Sequence, residues 1–233
     1  MKVLIKKYFD SFVHIIFPHN CANCDSDTLH QDSFLCSKCF TLLPATGFFD
    51  VANNPVEKIF YGRVKIESAA SGFYFNKHSI MQNLISQLKY RGNKEAGIFL
   101  GKQIGKYLND SERFNTVDVI VPVPLNTQKE KKRGYNQSLI IAEGLVQEFK
   151  RPILNNLILR SSNTESQTKK SRSARFQNMQ NVFEINKNSL FDFKHILIID
   201  DVITTGATLE SCCTVLHSLD GIKISIASVA IAQ

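Results

Sequence analysis

The chain has 233 residues, of which 43% are apolar and 21% charged, and its formal net charge is +7. This composition excludes a mainly disordered chain, and the length suits one α/β domain with a small additional module. No run of about 18 apolar residues is present, which argues against a membrane span, and the basic balance favours an anionic partner such as nucleic acid or a phosphorylated substrate.

Residues 1–17 are predicted to form an amphipathic helix. Lys6, Lys7, Asp10 and His14 interrupt its apolar positions, so the segment lacks the unbroken apolar core of a signal peptide. The helix either docks on the chain's own fold, which we favour, or binds a membrane surface. Without an export signal, we expect a cytoplasmic protein in a reducing compartment.

Four of the six cysteines form two CxxC pairs, Cys21 with Cys24 and Cys36 with Cys39. Two such pairs complete a tetrahedral zinc site without an open position, which predicts a structural zinc ion. Disulfides and a redox CxxC are the alternatives; a reducing compartment disfavours the first, and two matched pairs disfavour the second. We assign residues 1–46 to the helix and zinc module and residues 47–233 to a second domain.

Strand-like and helical patterns alternate along the second domain. We predict strands within 63–75 and over 117–123, 154–159, 182–185, 196–199 and 222–230, and helices over 79–90, 96–108, 136–149 and after residue 206. This alternation indicates a mostly parallel sheet with helices on its faces. Cys212 and Cys213 lie on the last helical pattern and are expected to be buried packing residues. Ligands of such sheets bind at the carboxyl ends of the strands.

The most informative segment, 196–209, reads I-L-I-I-D-D-V-I-T-T-G-A-T-L. It predicts a strand, an acidic turn, a glycine-containing loop and a helix N-terminus, which offers backbone N–H groups to an anion. The predicted phosphate-binding residues are Ile203, Thr204, Thr205, Gly206, Ala207 and Thr208. Asp200 and Asp201 suit ribose hydroxyls or a Mg²⁺ ion instead. The segment therefore predicts a sugar-phosphate site; an ordinary strand with a capped helix is the alternative.

A basic segment follows the strand predicted at 117–123. Lys129, Lys131, Lys132 and Arg133 cluster around one Glu130 after a Pro-Val-Pro turn. A rigid turn followed by a cationic loop suits a diphosphate. A solvated basic loop is the alternative interpretation.

A second basic segment, 159–178, is rich in serine and lies between two predicted strands. It carries Lys169, Lys170, Arg172 and Arg175. Its position suits either a lid over the diphosphate or a strip for a nucleic-acid backbone. A solvated loop would give the same pattern.

The segment 200–208 matches the signature of the type I phosphoribosyltransferases, which bind 5-phosphoribosyl-1-diphosphate (PRPP). Together with the cysteine pairs, the chain resembles the ComF family of competence proteins over nearly its whole length. The other matching motifs are Phe17-Pro18, Leu88-Lys89-Tyr90-Arg91-Gly92, Val121-Pro122-Val123-Pro124, Arg133-Gly134-Tyr135-Asn136-Gln137, Arg160…Thr164…Gln167 and Arg175…Asn178.

The resemblance implies a parallel-sheet, Rossmann-like type I phosphoribosyltransferase domain behind a small four-cysteine zinc module. It implies PRPP binding with Mg²⁺, with Asp200, Asp201 and Arg133 as catalytic candidates. It also implies a role in DNA uptake with single-stranded DNA and a helicase partner. Lys131, Lys132, Arg133, Lys169, Lys170 and Arg172 are the candidates for contacts with diphosphate or DNA.

Three functions stay open at this point: a DNA-uptake protein that binds PRPP and single-stranded DNA, a metabolic phosphoribosyltransferase acting on a small base, and a non-catalytic adaptor. Whether the chain is an enzyme is left undecided by the residues. Single strands bind to cationic grooves with stacking aromatic side chains. Phe73, Tyr74, Phe75, Tyr90 and Tyr135 lie near basic residues in the sequence.

Overall fold

The structure is a computed structural model, and it describes residues 20–27, 33–160, 182–186, 189 and 192–232. The helix expected at 1–17 and most of the basic segment 159–178 lie outside these residues. The chain divides into two units, Met1–Leu43 and Pro44–Gln233. No helix within the described ranges is long and apolar enough to cross a membrane.

The described residues form six strands and seven α-helices. The strands are β1 (Ser68–Phe75), β2 (Val119–Pro122), β3 (Ile158–Arg160), β4 (Phe183–Ile185), β5 (His195–Ile203) and β6 (Lys223–Ala232). The helices are α1 (Ser37–Thr41), α2 (Pro55–Phe60), α3 (Ile80–Tyr90), α4 (Lys94–Asp110), α5 (Thr127–Arg133), α6 (Gln137–Leu145) and α7 (Ala207–Leu216). Short 3-10 helices lie at Phe48–Asp50 and Glu112–Phe114.

The second unit contains a four-stranded sheet in the order β1-β6-β5-β2, and all three pairings are parallel. The predicted parallel α/β architecture is confirmed. The central strands β5 and β6 are almost entirely buried, as expected for a parallel sheet that is covered on both faces. Their carboxyl ends lie at one edge of the sheet, where β5 carries the acidic pair in its last residues and the glycine loop follows it.

The strand predicted at 154–159 is shifted in the structure. β3 spans Ile158–Arg160 and pairs antiparallel with β4 in a separate two-stranded sheet. Residues 151–154 instead run beside β2, where Ile153 bridges to Ile120. Short strand segments have weak periodicity, and the backbone partners that decide their bounds are distant in the sequence.

Helix α3 illustrates how local sequence sets an element that carries site residues. The side chain of Ser79 accepts a hydrogen bond from the backbone N–H of Gln82, at 3.2 Å, and so caps the N-terminus. Met81, Leu84, Ile85 and Leu88 are buried at helical spacing. Lys89 and Tyr90 close the helix on its more exposed side.

Glycines allow α4 and α6 to pack at backbone distance. A Cβ on Gly101 would lie 2.1 Å from the carbonyl oxygen of Ile141, and one on Gly144 would lie 2.2 Å from that of Ile98. Real Cβ atoms do not approach backbone so closely, so a side chain at either position would push the helices apart. This contact fixes α6, whose first turn faces the acidic pair.

Candidate functional site

The acidic pair lies inside a strand. Asp200 and Asp201 belong to β5, and Asp200 is opposite Ser228 of β6. The predicted acidic turn is therefore wrong, because pairing with β6 continues through Val202 and Ile203 before the chain turns. Successive side chains of a strand leave opposite faces, so the two carboxylates meet different neighbours.

Asp201 is bound by a lysine from α3. The Nζ atom of Lys89 lies 2.9 Å from each carboxylate oxygen of Asp201. Both side chains are largely shielded from solvent, with 22% of Lys89 and 13% of Asp201 exposed. The ammonium group thus offsets one of the two negative charges at this edge of the sheet.

Asp200 is held by α6. Its Oδ1 atom accepts hydrogen bonds from the hydroxyl of Ser138, at 3.0 Å, and from the backbone N–H of Asp201, at 2.9 Å. Burial of the carboxyl group and the neighbouring charge of Asp201 raise the pKa of Asp200 to about 7. The hydrogen bonds from Ser138 and from the Asp201 N–H, together with the charge of Lys89, oppose this increase in pKa and favour the ionised carboxylate.

The glycine loop leads from β5 into α7. Gly206 is the N-cap residue with φ +74° and has no side chain that could cap the helix. The N–H of Ala207 donates to Thr205 Oγ1 at 3.5 Å, a long hydrogen bond that an anion at the helix N-terminus can replace. Thr204, Thr205 and Thr208 are exposed. These features match those of a phosphate-binding loop.

The back of the loop is fixed by α2 and the residues after it. A Cβ on Gly206 would lie 2.6 Å from Ile59 Cγ2 and 3.1 Å from the ring of Phe60. Arg63 Nη1 donates to the carbonyl oxygen of Thr205, at 2.8 Å, and its Nη2 pairs with Glu210 in α7. The glycine is thus needed for its conformation and for packing behind the loop.

The segment predicted as a cationic loop is a helix. Asn126 caps the N-terminus of α5 with hydrogen bonds to Gln128 and Lys129, and Gly134 ends it with φ +81°. Lys131 and Lys132 are exposed on this helix. The local caps favour a helix that the charge pattern alone did not reveal.

Arg133, at the end of α5, contacts Tyr90. Its guanidinium carbon lies 5.4 Å from the centre of the Tyr90 ring, and Nη1 donates to Gln137 Oε1 at 2.5 Å. The ion pairs of the described residues do not join Arg133, Lys131 or Lys132 to the acidic pair. Lys169, Lys170 and Arg172 lie outside the described residues.

The first unit brings the four predicted metal ligands together. The Sγ atoms of Cys21, Cys24, Cys36 and Cys39 all lie within 4.8 Å of one another, and those of Cys24 and Cys36 are 3.7 Å apart. A tetrahedron with zinc–sulfur bonds of about 2.3 Å has edges of roughly 3.8 Å, so the cluster could hold a zinc ion.

The backbone around the cluster prepares one thiol for ionisation. Burial opposes ionisation of Cys21, but hydrogen bonds from the backbone N–H groups of Cys36, Asn23 and Cys24 outweigh it and lower the pKa of Cys21 to about 6. The Cys36 N–H lies 3.3 Å from this sulfur. Such N–H···S bonds stabilise the thiolate form that a metal requires. By contrast, Cys212 and Cys213 are buried on α7, as expected for packing residues.

Sequence reasoning did not include Lys89, Ser138 or Arg63 among the site residues. Lys89 stands in the Leu88–Gly92 motif, and Ser138 directly follows the Arg133–Gln137 motif, so motif membership was the available signal. Arg63 carries no such signal. Its contact with Thr205 joins residues 142 positions apart.

A phosphoribosyl transferase domain family matches residues 135–232, which contain the acidic pair and the glycine loop. Solved structures with similar folds include glutamine PRPP amidotransferase from B. subtilis (TM-score 0.43, 16% identity, 62% of this chain and 30% of that one). Another is adenine phosphoribosyltransferase from Thermoanaerobacter pseudethanolicus (TM-score 0.39, 13% identity, 75% and 98%).

The sheet and the family match define a protein with a parallel, Rossmann-like phosphoribosyltransferase domain and an N-terminal four-cysteine cluster. Competence protein F of Haemophilus influenzae is 31% identical over 160 residues, covering 66% of this chain and 68% of that protein. The chain belongs to the competence protein F, or ComF, family.

Two further relatives are matched over shorter segments. Competence protein ComFC of Bacillus subtilis is 31% identical over 142 residues, which cover 58% of this chain and 53% of ComFC. DNA utilization protein YhgH of Escherichia coli K12 is 28% identical over 136 residues, which cover 57% of this chain and 59% of YhgH. The chain thus spans little more than half the length of these two relatives.

Proposed function

We propose that this protein acts in competence, in the handling of incoming DNA, and that it binds PRPP at the edge formed by β5 and α7. The observation that carries the proposal is the acidic pair in β5, followed after residues 202–205 by a helix N-terminus whose N-cap residue is Gly206 at φ +74°. Kinship with the two competence proteins supports the biological role.

In this proposal the 5′-phosphate of PRPP binds residues 203–208 through backbone N–H groups and the threonine hydroxyls. Asp200 and Asp201 accept hydrogen bonds from the ribose hydroxyls. Lys89 already binds both oxygens of Asp201. Asp200 and Asp201 would be the residues that hold a Mg²⁺ ion brought in with PRPP.

The carboxylates fit the preference of Mg²⁺ for oxygen ligands. When bound with PRPP, this ion would supply positive charge that neutralises the diphosphate leaving group. Arg133, Lys131 and Lys132 lie on one short helix and would add cationic groups near the same diphosphate. These residues would bind PRPP and neutralise the charge of its diphosphate. No described side chain is assigned as a general base.

We also propose that the cysteine cluster binds one structural zinc ion. A site with four cysteine ligands has no position for substrate, so its contribution is to the folding free energy of the first unit. The cytoplasmic location expected from the sequence stays a prediction.

Single-stranded DNA is the proposed macromolecular ligand, with Lys131, Lys132 and Arg133 as phosphate contacts on α5 and Lys169, Lys170 and Arg172 as further predicted contacts. We also propose a helicase partner of the uptake machinery, which is supported only by membership of the ComF family. DNA affinity should fall with salt at a log–log slope of roughly −0.7 per phosphate contact. A DNA affinity that does not change with salt concentration would contradict these phosphate contacts.

The proposal is tested by isothermal titration with Mg·PRPP, ribose 5-phosphate and inorganic phosphate. We expect the affinity to decrease in that order, because each step removes the diphosphate or the ribose hydroxyls. Equal affinity for all three ligands would show that the acidic pair does not bind the ribose hydroxyls. Turnover of PRPP with a free base but no binding of DNA would favour a metabolic phosphoribosyltransferase instead.

A further inference from the structure

Tyr90 is an exposed aromatic residue at the end of α3. Its side chain is 75% exposed, more than any other large apolar residue that the structure describes as exposed. The buried face of the helix is formed by Met81, Leu84, Ile85 and Leu88. Packing of α3 therefore does not account for an aromatic ring at this position.

A second tyrosine in the same region, Tyr135, has a structural role and provides a comparison for Tyr90. Tyr135 is only 9% exposed, its hydroxyl donates to the carbonyl oxygen of Leu88, and Lys94 lies 5.2 Å from its ring centre. Phe73, which the sequence offered as another stacking candidate, is in the core. Tyr90 alone among these three presents its ring to solvent.

The guanidinium of Arg133 lies over the Tyr90 ring, at 5.4 Å. This contact is within the range of a cation–π interaction. Arg133 is itself held by Gln137, at 2.5 Å. A planar guanidinium beside an aromatic ring is an arrangement that stacks well on a flat, unsaturated heterocycle.

Both halves of this pair are connected to the acidic site. Lys89, the residue before Tyr90, binds Asp201 at 2.9 Å. Ser138, the residue after Gln137, binds Asp200 at 3.0 Å. Tyr90 is therefore adjacent in sequence to the residue that binds Asp201, and Gln137, the partner of Arg133, is adjacent to the residue that binds Asp200.

We propose that Tyr90 and Arg133 form a platform that binds a planar heterocyclic base beside the ribose of the bound sugar phosphate. The inference rests on the proposed function for the location of the ribose. The platform offers stacking and positive charge rather than a set of hydrogen bonds to a base edge, so it tolerates different bases. The base comes either from a free acceptor molecule or from a single DNA strand.

The chain contains no tryptophan, so a single introduced tryptophan reports on the platform. In Tyr90→Trp, stacking of a base should quench the fluorescence. The matched control is Tyr61→Trp, because Tyr61 is a second exposed tyrosine, 53% exposed, that binds Asn53 and follows α2. Adenine and oligothymidine are titrated separately, each with and without Mg·PRPP.

Quenching of Tyr90→Trp but not of Tyr61→Trp supports the platform. Quenching by adenine only when Mg·PRPP is present identifies a free acceptor base, whereas quenching by oligothymidine without PRPP identifies a strand. Absence of quenching by both probes, or equal quenching of the two variants, overturns the inference. The oligothymidine titration needs no PRPP, so it tests stacking of a DNA strand on the platform even where PRPP binding fails.

Affinity measurements provide a second test. Tyr90→Ala should weaken binding of the quenching probe roughly 5- to 150-fold, and Tyr90→Phe should retain it, because the aromatic face rather than the hydroxyl makes the contact. Tyr61→Ala should bind as the wild type does. Mg·PRPP affinity should stay unchanged in Tyr90→Ala. Unchanged probe affinity in Tyr90→Ala would refute the platform while leaving the proposed PRPP site intact.

Discussion

The ammonium group of Lys89 lies 2.9 Å from both carboxylate oxygens of Asp201, a residue 112 positions further along the chain. This ion pair joins the end of α3 to the strand that carries the acidic pair. Burial and the adjacent charge of Asp201 raise the pKa of Asp200 to about 7, and the positive charge of Lys89 acts against this increase. The pair therefore sets the charge of the proposed ribose site.

Lys89→Met should weaken Mg·PRPP binding about tenfold and lower the free energy of unfolding by about 1–2 kcal/mol, because it leaves the Asp201 carboxylate unpaired in a shielded position. Lys223→Met is the control, since Lys223 forms a more exposed pair with Glu67 at 3.9 Å and should change neither quantity much. Calorimetry and urea unfolding measure the two effects. Equal behaviour of the two variants would contradict the assigned role of Lys89.

The double variant Asp200→Asn/Asp201→Asn should weaken Mg·PRPP at least tenfold while changing the affinity for inorganic phosphate much less. The reason is that carboxylates form charge-assisted hydrogen bonds with hydroxyls, worth about 1.5–3 kcal/mol each, whereas phosphate binds the glycine loop. Ser138→Ala, which removes only the hydrogen bond to Asp200, should have a smaller effect. Calorimetry that finds wild-type PRPP affinity in the double variant would refute the site.

Gly206→Val should abolish phosphate binding. Its φ of +74° disfavours a side chain, and a Cβ would meet Ile59 and Phe60 behind the loop. Gly221→Val is the matched control, because Gly221 also has a positive φ, +72°, but its Cβ would meet nothing within 4 Å. Both variants bear about 1–2 kcal/mol of backbone strain. If Gly221→Val also lost phosphate binding, backbone strain away from the loop would be sufficient to abolish binding, and the assignment of the Gly206 loop would be contradicted.

Cys36→Ser should release the proposed zinc ion, because three thiolates hold zinc more weakly than four. The second unit should keep its circular dichroism spectrum. Cys212→Ala is the control, since Cys212 is buried on α7 and is not one of the four clustered cysteines, so the zinc content should stay at about one per chain. Elemental analysis decides, and a wild-type protein purified under reducing conditions without zinc would contradict the assignment.

His195 should make the stability of the second unit depend on pH. Burial lowers the pKa of this histidine below its ordinary 6.5, and its ring nitrogens bind Thr116 and Ser225 at 2.8 and 2.9 Å. Below about pH 6.5 the imidazole binds a proton in the unfolded chain but not in the native state. The contribution of His195 to the free energy of unfolding is therefore complete above this pH. It decreases as the pH falls, by at most about 1.4 kcal/mol per pH unit.

The variant His195→Gln should remove this part of the pH dependence, whereas His217→Gln, at an exposed histidine, should keep it. Urea unfolding between pH 5.5 and 7.5, followed by circular dichroism, measures the difference. A wild-type protein and a His195→Gln variant with the same slope would show that the buried histidine does not couple to folding.

The sequence by itself determined those features that depend on neighbouring residues. The apolar spacing predicted α3, and the order of acids, threonines and glycine predicted the loop from β5 to α7. The two CxxC pairs predicted a cluster that the structure brings within 4.8 Å. Each of these patterns is local, so the chain needs no distant partner to specify it.

Only the tertiary structure decided which distant groups meet. Pairing with β6 extends β5 through Asp200 and Asp201, so a predicted turn is strand. The packing of α3 brings Lys89 to Asp201 and Tyr90 to Arg133. Such contacts depend on the packing of elements far apart in sequence, and the periodicity of a single segment carries no information about its partner.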